Sequence, residues 1–433
     1  MCGIVAYLGT QQPAAEVLVK GLQRLEYRGY DSAGVGVVDA DGKLNVVKRV
    51  GKVANLASAL KGSLASGSLG IGHTRWATHG EPSDVNSHPH ATMSGDLCVV
   101  HNGIVENYEV LRTVLRKKGY SFSSETDTEA LAHLIDDVLK THCRRGGKII
   151  SICAESSSDE EATTKEPQRP DEAEPGDEPI VLEEALRLAL TQVEGTFGIA
   201  VVSEAEPNKL VGARMGSPLV VGLGEGGSEY FLASDASAVI EHTAEVLYLK
   251  DGDMIVVTQQ PAEAGGSAEQ DVRYTHRVVS LACDAGTALT RHIQHLSMKR
   301  CEIEKGGFKY FMMKEIFDQP RTLAECMRGR VMLGDGLSAP PSIKLGGLSG
   351  EPWSALMAAR RIIICACGTS WHAGMVGEYL LEKFARVNVK VEYASEFRYK
   401  DPVLDAEVRF QPLFKLFSAV FTLFLCCLVL ILC

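Results

Sequence analysis

The chain opens Met1-Cys2-Gly3-Ile4-Val5-Ala6-Tyr7-Leu8-Gly9, and no later stretch limits its fold as tightly. The apolar run Ile4 to Leu8 predicts a buried strand. The end of that strand would carry the Cys2 thiol into a cleft. Removal of Met1 would leave nucleophile and base in one residue, because an α-amine with a pKa of about 8 can take a thiol proton of pKa about 8.5 through a water. The competing reading makes Cys2 a small apolar residue on an edge strand. Nine residues do not choose between them, so the choice falls to the rest of the chain.

A chain of 433 residues exceeds one ordinary core and predicts two domains or more. Its hydrophobic fraction of 45% and charged fraction of 23% are those of a soluble globular protein. The net charge of −11 is concentrated: Glu155 to Glu184 holds twelve carboxylates against Lys165 and Arg169. The remainder is nearly neutral, which argues against a nucleic-acid surface and against an acidic steering field. Twelve cysteines without a secretory signal or a paired CxxC predict reduced thiols and a cytoplasmic location.

Beyond the first strand, Val17, Leu18, Leu22 and Leu25 fall at helical spacing over Ala14 to Leu25. The turn-rich loop Glu26-Tyr27-Arg28-Gly29-Tyr30-Asp31-Ser32-Ala33-Gly34 leads to a strand at Val35 to Val38. Further strand and helix patterns cover Leu44 to Val50 and Val53 to Leu60. Polar side chains then crowd the end of a strand in His73-Thr74-Arg75-Trp76-Ala77-Thr78-His79-Gly80. Arg75 could clamp a carboxylate with Thr78 and His79 as further donors; taken singly, each also reads as a surface or structural residue. His88-Pro89-His90 is a weak metal signal, having no neighbouring acid or cysteine.

The strand Leu97 to His101 is expected to break at Asn102-Gly103. An amide beside a glycine N–H suits a developing oxyanion, and Asn-Gly is equally the commonest hairpin turn. Ser124 to Glu129 precedes an amphipathic helix, and propensity favours Asp127 as its cap, although its carboxylate could hold an ammonium group. From Cys143 to Pro179 the serine run Ser156-Ser157-Ser158, the acids and four prolines predict a disordered insertion within the domain, open to a kinase or merely solvated. Helix and strand patterns resume at Glu183 to Val193 and Thr196 to Val202. Strands at Leu219 to Gly222 and Tyr230 to Ala233 follow, and Asp251-Gly252-Asp253 is expected to end another hairpin.

Taken together, Met1-Cys2-Gly3-Ile4, Tyr27 to Gly34, Arg75-Trp76-Ala77-Thr78-His79-Gly80, His101-Asn102-Gly103 and Ser124 to Glu129 resemble the glutaminase half of the glutamine:fructose-6-phosphate aminotransferase (isomerising) family. The resemblance implies an α+β chain: an N-terminal-nucleophile αββα sandwich of the class II glutamine amidotransferases over residues 2–290, with the insertion at about 143–180. It implies Cys2 as nucleophile and Asn102 with Gly103 as oxyanion hole. Arg75, Thr78, His79 and Asp127 would bind the amino-acid end of glutamine, and Trp76 would gate an ammonia path. No metal and no organic cofactor is implied. The partners are glutamine and fructose 6-phosphate, and full-length members are expected to be homo-oligomers.

Residues 291–360 resemble the segment that links glutaminase to synthase in this family. After it, Arg361 to Cys367 reads as a fully buried strand, Gly368-Thr369-Ser370 opens a helix over Trp371 to Ala385, and Val389 to Tyr393 closes a strand–helix–strand unit. A glycine turn with two hydroxyls at a helix N-terminus suits a phosphate. Residues 361–407 resemble the start of a sugar-isomerase (SIS) domain, in which Thr369 and Ser370 would contribute to fructose 6-phosphate binding. The family's Schiff-base lysine, ring-opening histidine and proton-transferring glutamate are not found. The expectation is a partial domain, with glutamine hydrolysis retained and hexosamine phosphate synthesis lost. Residues 408–433 are an apolar tail. Leu416 to Cys433 carries no charge, and its length is at the lower limit for a membrane anchor, the only membrane contact the chain offers. The favoured expectation is a gene model that ran on into noncoding sequence.

Overall fold

The computed structural model describes residues 2–61, 67–77, 80–145, 148–151, 177–260, 272–282, 288–296, 305–328, 330–332, 342–343, 354, 356–400 and 402. They divide into two compact units, Met1–Ile303 and Glu304–Cys433.

In the first unit β1 (Gly3–Gly9) leads into α1 (Ala14–Leu25), then β2 (Ser32–Asp39), β3 (Leu44–Val50), α2 (Val53–Leu60) and β4 (Gly67–Arg75). β5 (His90–Ala91) and β6 (Leu97–Val105) precede α3 (Tyr108–Lys117) and α4 (Asp127–Thr141). β7 (His142–Arg145), β8 (Lys148–Ser151) and β9 (Glu178–Pro179) come before α5 (Leu182–Thr191). The remaining strands are β10 (Gly195–Ser203), β11 (Lys209–Met215), β12 (Val220–Leu223), β13 (Glu229–Ala233), β14 (Glu245–Tyr248), β15 (Asp253–Gln259), β16 (Tyr274–Ser280) and β17 (Ile293–His295).

Two sheets stack between helices. One runs β17-β14-β12-β13-β1-β4-β2-β3, the other β16-β15-β11-β10-β6-β5. The strand period of two sorts their side chains into layers. From β1, Ile4, Ala6 and Leu8 join the layer between the sheets, where they meet Cys98 and Val100 of β6 and Ala200 and Val202 of β10. Val5 and Tyr7 point the other way, into a layer with Val17, Leu18, Leu22 and Leu25 of α1 and Leu56 of α2. Across the second sheet, Val99, Ile199 and Val201 pack on Leu111 and Leu115 of α3, Leu131 and Ile135 of α4 and Leu186 of α5. The order helix, sheet, sheet, helix is the αββα sandwich that the resemblance implies. Strands covered on both faces read as unbroken apolar runs, which is why Ile4 to Leu8 lacks polar alternation.

Three local expectations change in this unit. β6 does not break at Asn102-Gly103: it continues to Val105 because β10 stays in register beside it, Gly198 opposite Asn102 and Phe197 opposite Gly103. Asp251-Gly252 does not close a hairpin, since β14 belongs to one sheet and β15 to the other, and the turn carries the chain between them. The insertion read over 143–180 is structured at both ends. There β7 pairs with β8 and β9, Arg145 binds Asp177 at 2.8 Å, Arg144 pairs with Glu184, and Ile180 is buried in the α4–α5 layer. Ser156 to Ser158 lie outside the described residues.

The second unit, by itself, contains the helix Phe311–Met327, a short antiparallel pair β18 (Val331–Met332) and β19 (Ser342–Ile343), and a parallel pair β20 (Arg361–Ala366) and β21 (Asn388–Tyr393) joined through the helix Gly368–Leu380. The helix starts at Gly368 rather than Trp371. The strand expected to be fully buried is not: only Ile364 of β20 is buried, because among the described residues β21 is its one strand neighbour. The apolar tail, residues 408–433, lies outside the described residues. No helix among the described residues is long and apolar enough to cross a membrane.

Candidate active site

Cys2 sits at the mouth of β1, the strand held between β13 and β4. Ser234, just past β13, anchors the entry from both sides: Ile4 N–H donates to Ser234 Oγ at 3.0 Å and Ser234 N–H to Ile4 O at 3.0 Å. Gly3 is required by close packing, since a Cβ there would stand 2.7 Å from both Leu25 Cβ and Thr74 Oγ1.

Around the half-buried thiol, Trp76 N–H donates to Cys2 Sγ at 3.2 Å and Sγ lies 3.6 Å from Trp76 O. Arg28 Nε and Asn102 Nδ2 each donate to Cys2 O at 3.1 Å. Burial pushes the thiol pKa up. The Trp76 N–H and the charges of Arg75 and Arg28 oppose that shift without cancelling it. The thiol is therefore stored protonated, and a base must take its proton at the moment of attack.

The two charges that sequence reading set apart lie near one another. Arg75, the last residue of β4, is buried and donates to Gly80 O at 3.1 Å; the carboxylates of Asp127, Asp31 and Glu125 act on it. Asp127 is not the cap of α4. Thr126 occupies that position, and Asp127 Oδ2 accepts from Val105 N–H of β6 at 2.9 Å. That bond ties the carboxylate to the strand carrying Asn102 and Gly103. Gly103 has φ 136°, and a Cβ would lie 2.0 Å from Thr196 O, so only glycine lets β10 pass. Trp76 is exposed and meets the Tyr30 ring edge-on at 5.6 Å. Thr78 and His79 lie outside the described residues.

Several residues at this site escaped sequence reading. Arg28 binds Cys2 O and faces Asp235 at 3.5 Å. Asp31 accepts from Ala77 N–H at 2.9 Å and donates its own N–H to Arg75 O, holding the Arg75–Ala77 backbone against the loop after α1. The polar density of Tyr27 to Ser32 was the available signal. His73, His88, Thr128 and His101 form a buried polar cluster behind Asn102. His88 and His90 are thus engaged with His73, Thr128 and Thr126, and no metal-binding cluster occurs among the described residues. In the second unit Ser370 is exposed in the first turn of its helix, and the Thr369 side chain is outside what the structure describes.

Residues 35–146 match the glutamine amidotransferase domain family and residues 355–408 the SIS domain family. The chain is 44% identical over 410 residues to the glutamine–fructose-6-phosphate aminotransferase (isomerizing) of Chlorobaculum tepidum, covering 94% of this chain and 56% of that protein. It is 42% identical over 408 residues to the protein of that name from Bacteroides thetaiotaomicron, again covering 94% of this chain and 56% of that protein. The chain thus spans little more than half the length of these relatives. A solved structure described as the allosteric regulatory enzyme of purine biosynthesis matches at TM-score 0.43 and 23% identity, covering 63% of this chain and 48% of that one.

Proposed function

We propose, for a chain that belongs by sequence to the isomerising glutamine–fructose-6-phosphate aminotransferase family, that it takes part in making glucosamine 6-phosphate and glutamate from fructose 6-phosphate and glutamine. In this reading residues 2–290 are the glutaminase, residues 291–360 a linker and residues 361–407 part of a sugar-isomerase domain, working in the cytoplasm. The observation that carries it is the convergence on Cys2 of the Trp76 N–H, the Asn102 amide and the charge of Arg75, on which Asp127 in turn acts.

Glutamine enters with its carboxylate toward Arg75, Thr78 and His79 and its ammonium toward Asp127. Once Met1 is removed, the Cys2 amine takes the Sγ proton through a water. The sulfur bonds to the amide carbon, and the carbonyl electron pair moves onto oxygen, held by Asn102 Nδ2 and the Gly103 N–H. The pair returns as the C–N bond breaks, and the amine's proton leaves with ammonia. Water then adds to the thioester and releases glutamate and the free thiol. Trp76, exposed beside Sγ, gates the exit of ammonia. Thr369 and Ser370 contribute to holding that phosphate.

The test is incubation of the purified full chain with amide-15N glutamine and fructose 6-phosphate, with glutamate and 15N-hexosamine phosphate assayed separately and the N-terminus read by mass spectrometry. Glutamate release that requires Cys2 supports the reading. Retained Met1, or release unaffected by Cys2→Ala, overturns it.

A further inference from the structure

Arg75 and Asp127 come from different elements, one from the end of β4 and the other from the first turn of α4. An amino acid bridges two charges only when their separation matches its own. One buried side chain links the supports of both. Asn86, in the turn before β5, donates from Nδ2 to Glu81 O at 3.1 Å and to Glu125 Oε2 at 3.2 Å, and its Oδ1 accepts from Glu125 N–H at 3.0 Å. Its own N–H donates to Ser83 Oγ at 3.1 Å. The amide nitrogen thus faces two acceptors and the amide oxygen a donor, so a flipped amide would lose all three bonds.

On one side this clasp meets the seat of Arg75. Glu81 O, which takes one Asn86 proton, lies 3.5 Å from Arg75 Nη1, and Gly80 O accepts from Arg75 Nη2 at 3.1 Å. Two successive carbonyls therefore receive the guanidinium fork. Gly80 has φ 74°, and a Cβ there would stand 2.7 Å from Asn86 Nδ2 and 2.9 Å from Glu125 Oε2, so the backbone passes directly against the clasp. On the other side, Glu125 belongs to a turn locked to α4. Glu129 accepts from the N–H and O–H of Ser123 at 2.8 Å and from those of Ser124 at 2.7 Å, and Arg112 Nη2 donates to Thr126 O at 3.3 Å. Asp127 follows Thr126 directly.

We infer that Asn86 is a positioning residue for glutamine: its amide joins the carbonyls that orient Arg75 to the turn that leads into Asp127, and so sets the distance between the groups for the substrate's carboxylate and ammonium. Carbonyls held by Arg75 alone would move with it. Tied to Asn86, they are in place before the substrate arrives. The two charges take the end of glutamine that does not react, so displacing them weakens substrate and transition state alike. The effect falls on KM rather than kcat.

The inference rests on the reading of Arg75 as the carboxylate-binding group, and its test separates the two. In the full chain, Asn86→Ala should raise the glutamine KM roughly tenfold and leave kcat within about threefold. Because the effect passes through Arg75, the same substitution in an Arg75→Ala chain should change KM by less than about twofold further. Equal effects in the two backgrounds, or a normal KM in Asn86→Ala beside a raised one in Arg75→Ala, overturn the inference alone. A normal KM in Arg75→Ala removes the reading of Arg75, and the inference falls with it. A second variant keeps the test open if Asn86→Ala does not fold. Asn86→Asp combined with Glu125→Gln lets these two side chains bond again with donor and acceptor exchanged, and deprives Glu81 O of its Asn86 donor. The thermal midpoint should then lie within about 3 °C of wild type, with KM still raised at least about fivefold. A wild-type KM in that chain would reduce Asn86 to packing and overturn the positioning role.

Discussion

β1 and β20 look alike as sequence, each an unbroken apolar run before a helix, and the structure treats them differently. All seven residues of β1 are buried, because strands flank it on both sides and a packed layer covers each face. β20 buries Ile364 alone, and its helix leaves Met375, Val376 and Tyr379 exposed. An apolar run states that a strand can be buried. Partners decide whether it is, and a site needs the partners. Cys2 is enclosed by groups drawn from the loop after α1, from β4 and from β6, whereas Ser370 stands exposed at one helix end.

The sharpest way to break this contrast is Cys2→Ala. Glutamate release should fall by at least about 10³-fold, with the thermal midpoint within about 2 °C of wild type. Retained activity would place the nucleophile elsewhere.

Acid comes next. His73, His88 and His90 are fully buried with depressed pKa values, against about 6.5 when unfolded. Their contribution to stability is present above pH 6.5 and is lost as pH falls toward the folded values, because the unfolded chain binds those protons first. Between pH 7.5 and 5.5 this is about 1.4 kcal/mol per histidine, or about 4 kcal/mol together. Urea midpoints at the two pH values measure it for the first unit, and a flat profile would mean that these rings are hydrated.

Asp127→Asn keeps an acceptor for Val105 N–H and removes the charge. It should raise the glutamine KM by roughly 30-fold or more, the lower end of the cost of breaking a desolvated charge pair. An unchanged KM would reduce Asp127 to a tie between α4 and β6. Least affected should be glutamine hydrolysis in Ser370→Ala, which should stay within about twofold, as expected for an exposed surface position. A larger loss would show that the second unit acts on the first reaction.

The sandwich was legible because its strands and helices announce themselves locally: Ile4 to Leu8, the period of Val17, Leu18, Leu22 and Leu25, and the polar blocks at strand ends. What hid was pairing between distant segments. Asn102-Gly103 carries a turn signal, and only β10, some 95 residues further on, turns it into continuous strand. Asp127 has a cap's residue type and position, and Val105 N–H claims it instead. His88 reads with His90 as a weak metal signal, and His73 and His101 only as parts of polar blocks; their connection runs around a strand edge and leaves no spacing rule in the sequence.

The place of β1 also sets a schedule. First in the chain, it lies between β4 and β13, and Ala6 cannot find its partner Leu232 until more than half of the protein has left the ribosome. At 5–20 residues per second that wait is about 10 to 50 s. Throughout it β1 can pair with β4 alone, and its β13 edge stays open. The strand that carries Cys2 is made early and closed in late, so the fold itself allows time for its nucleophile to be finished.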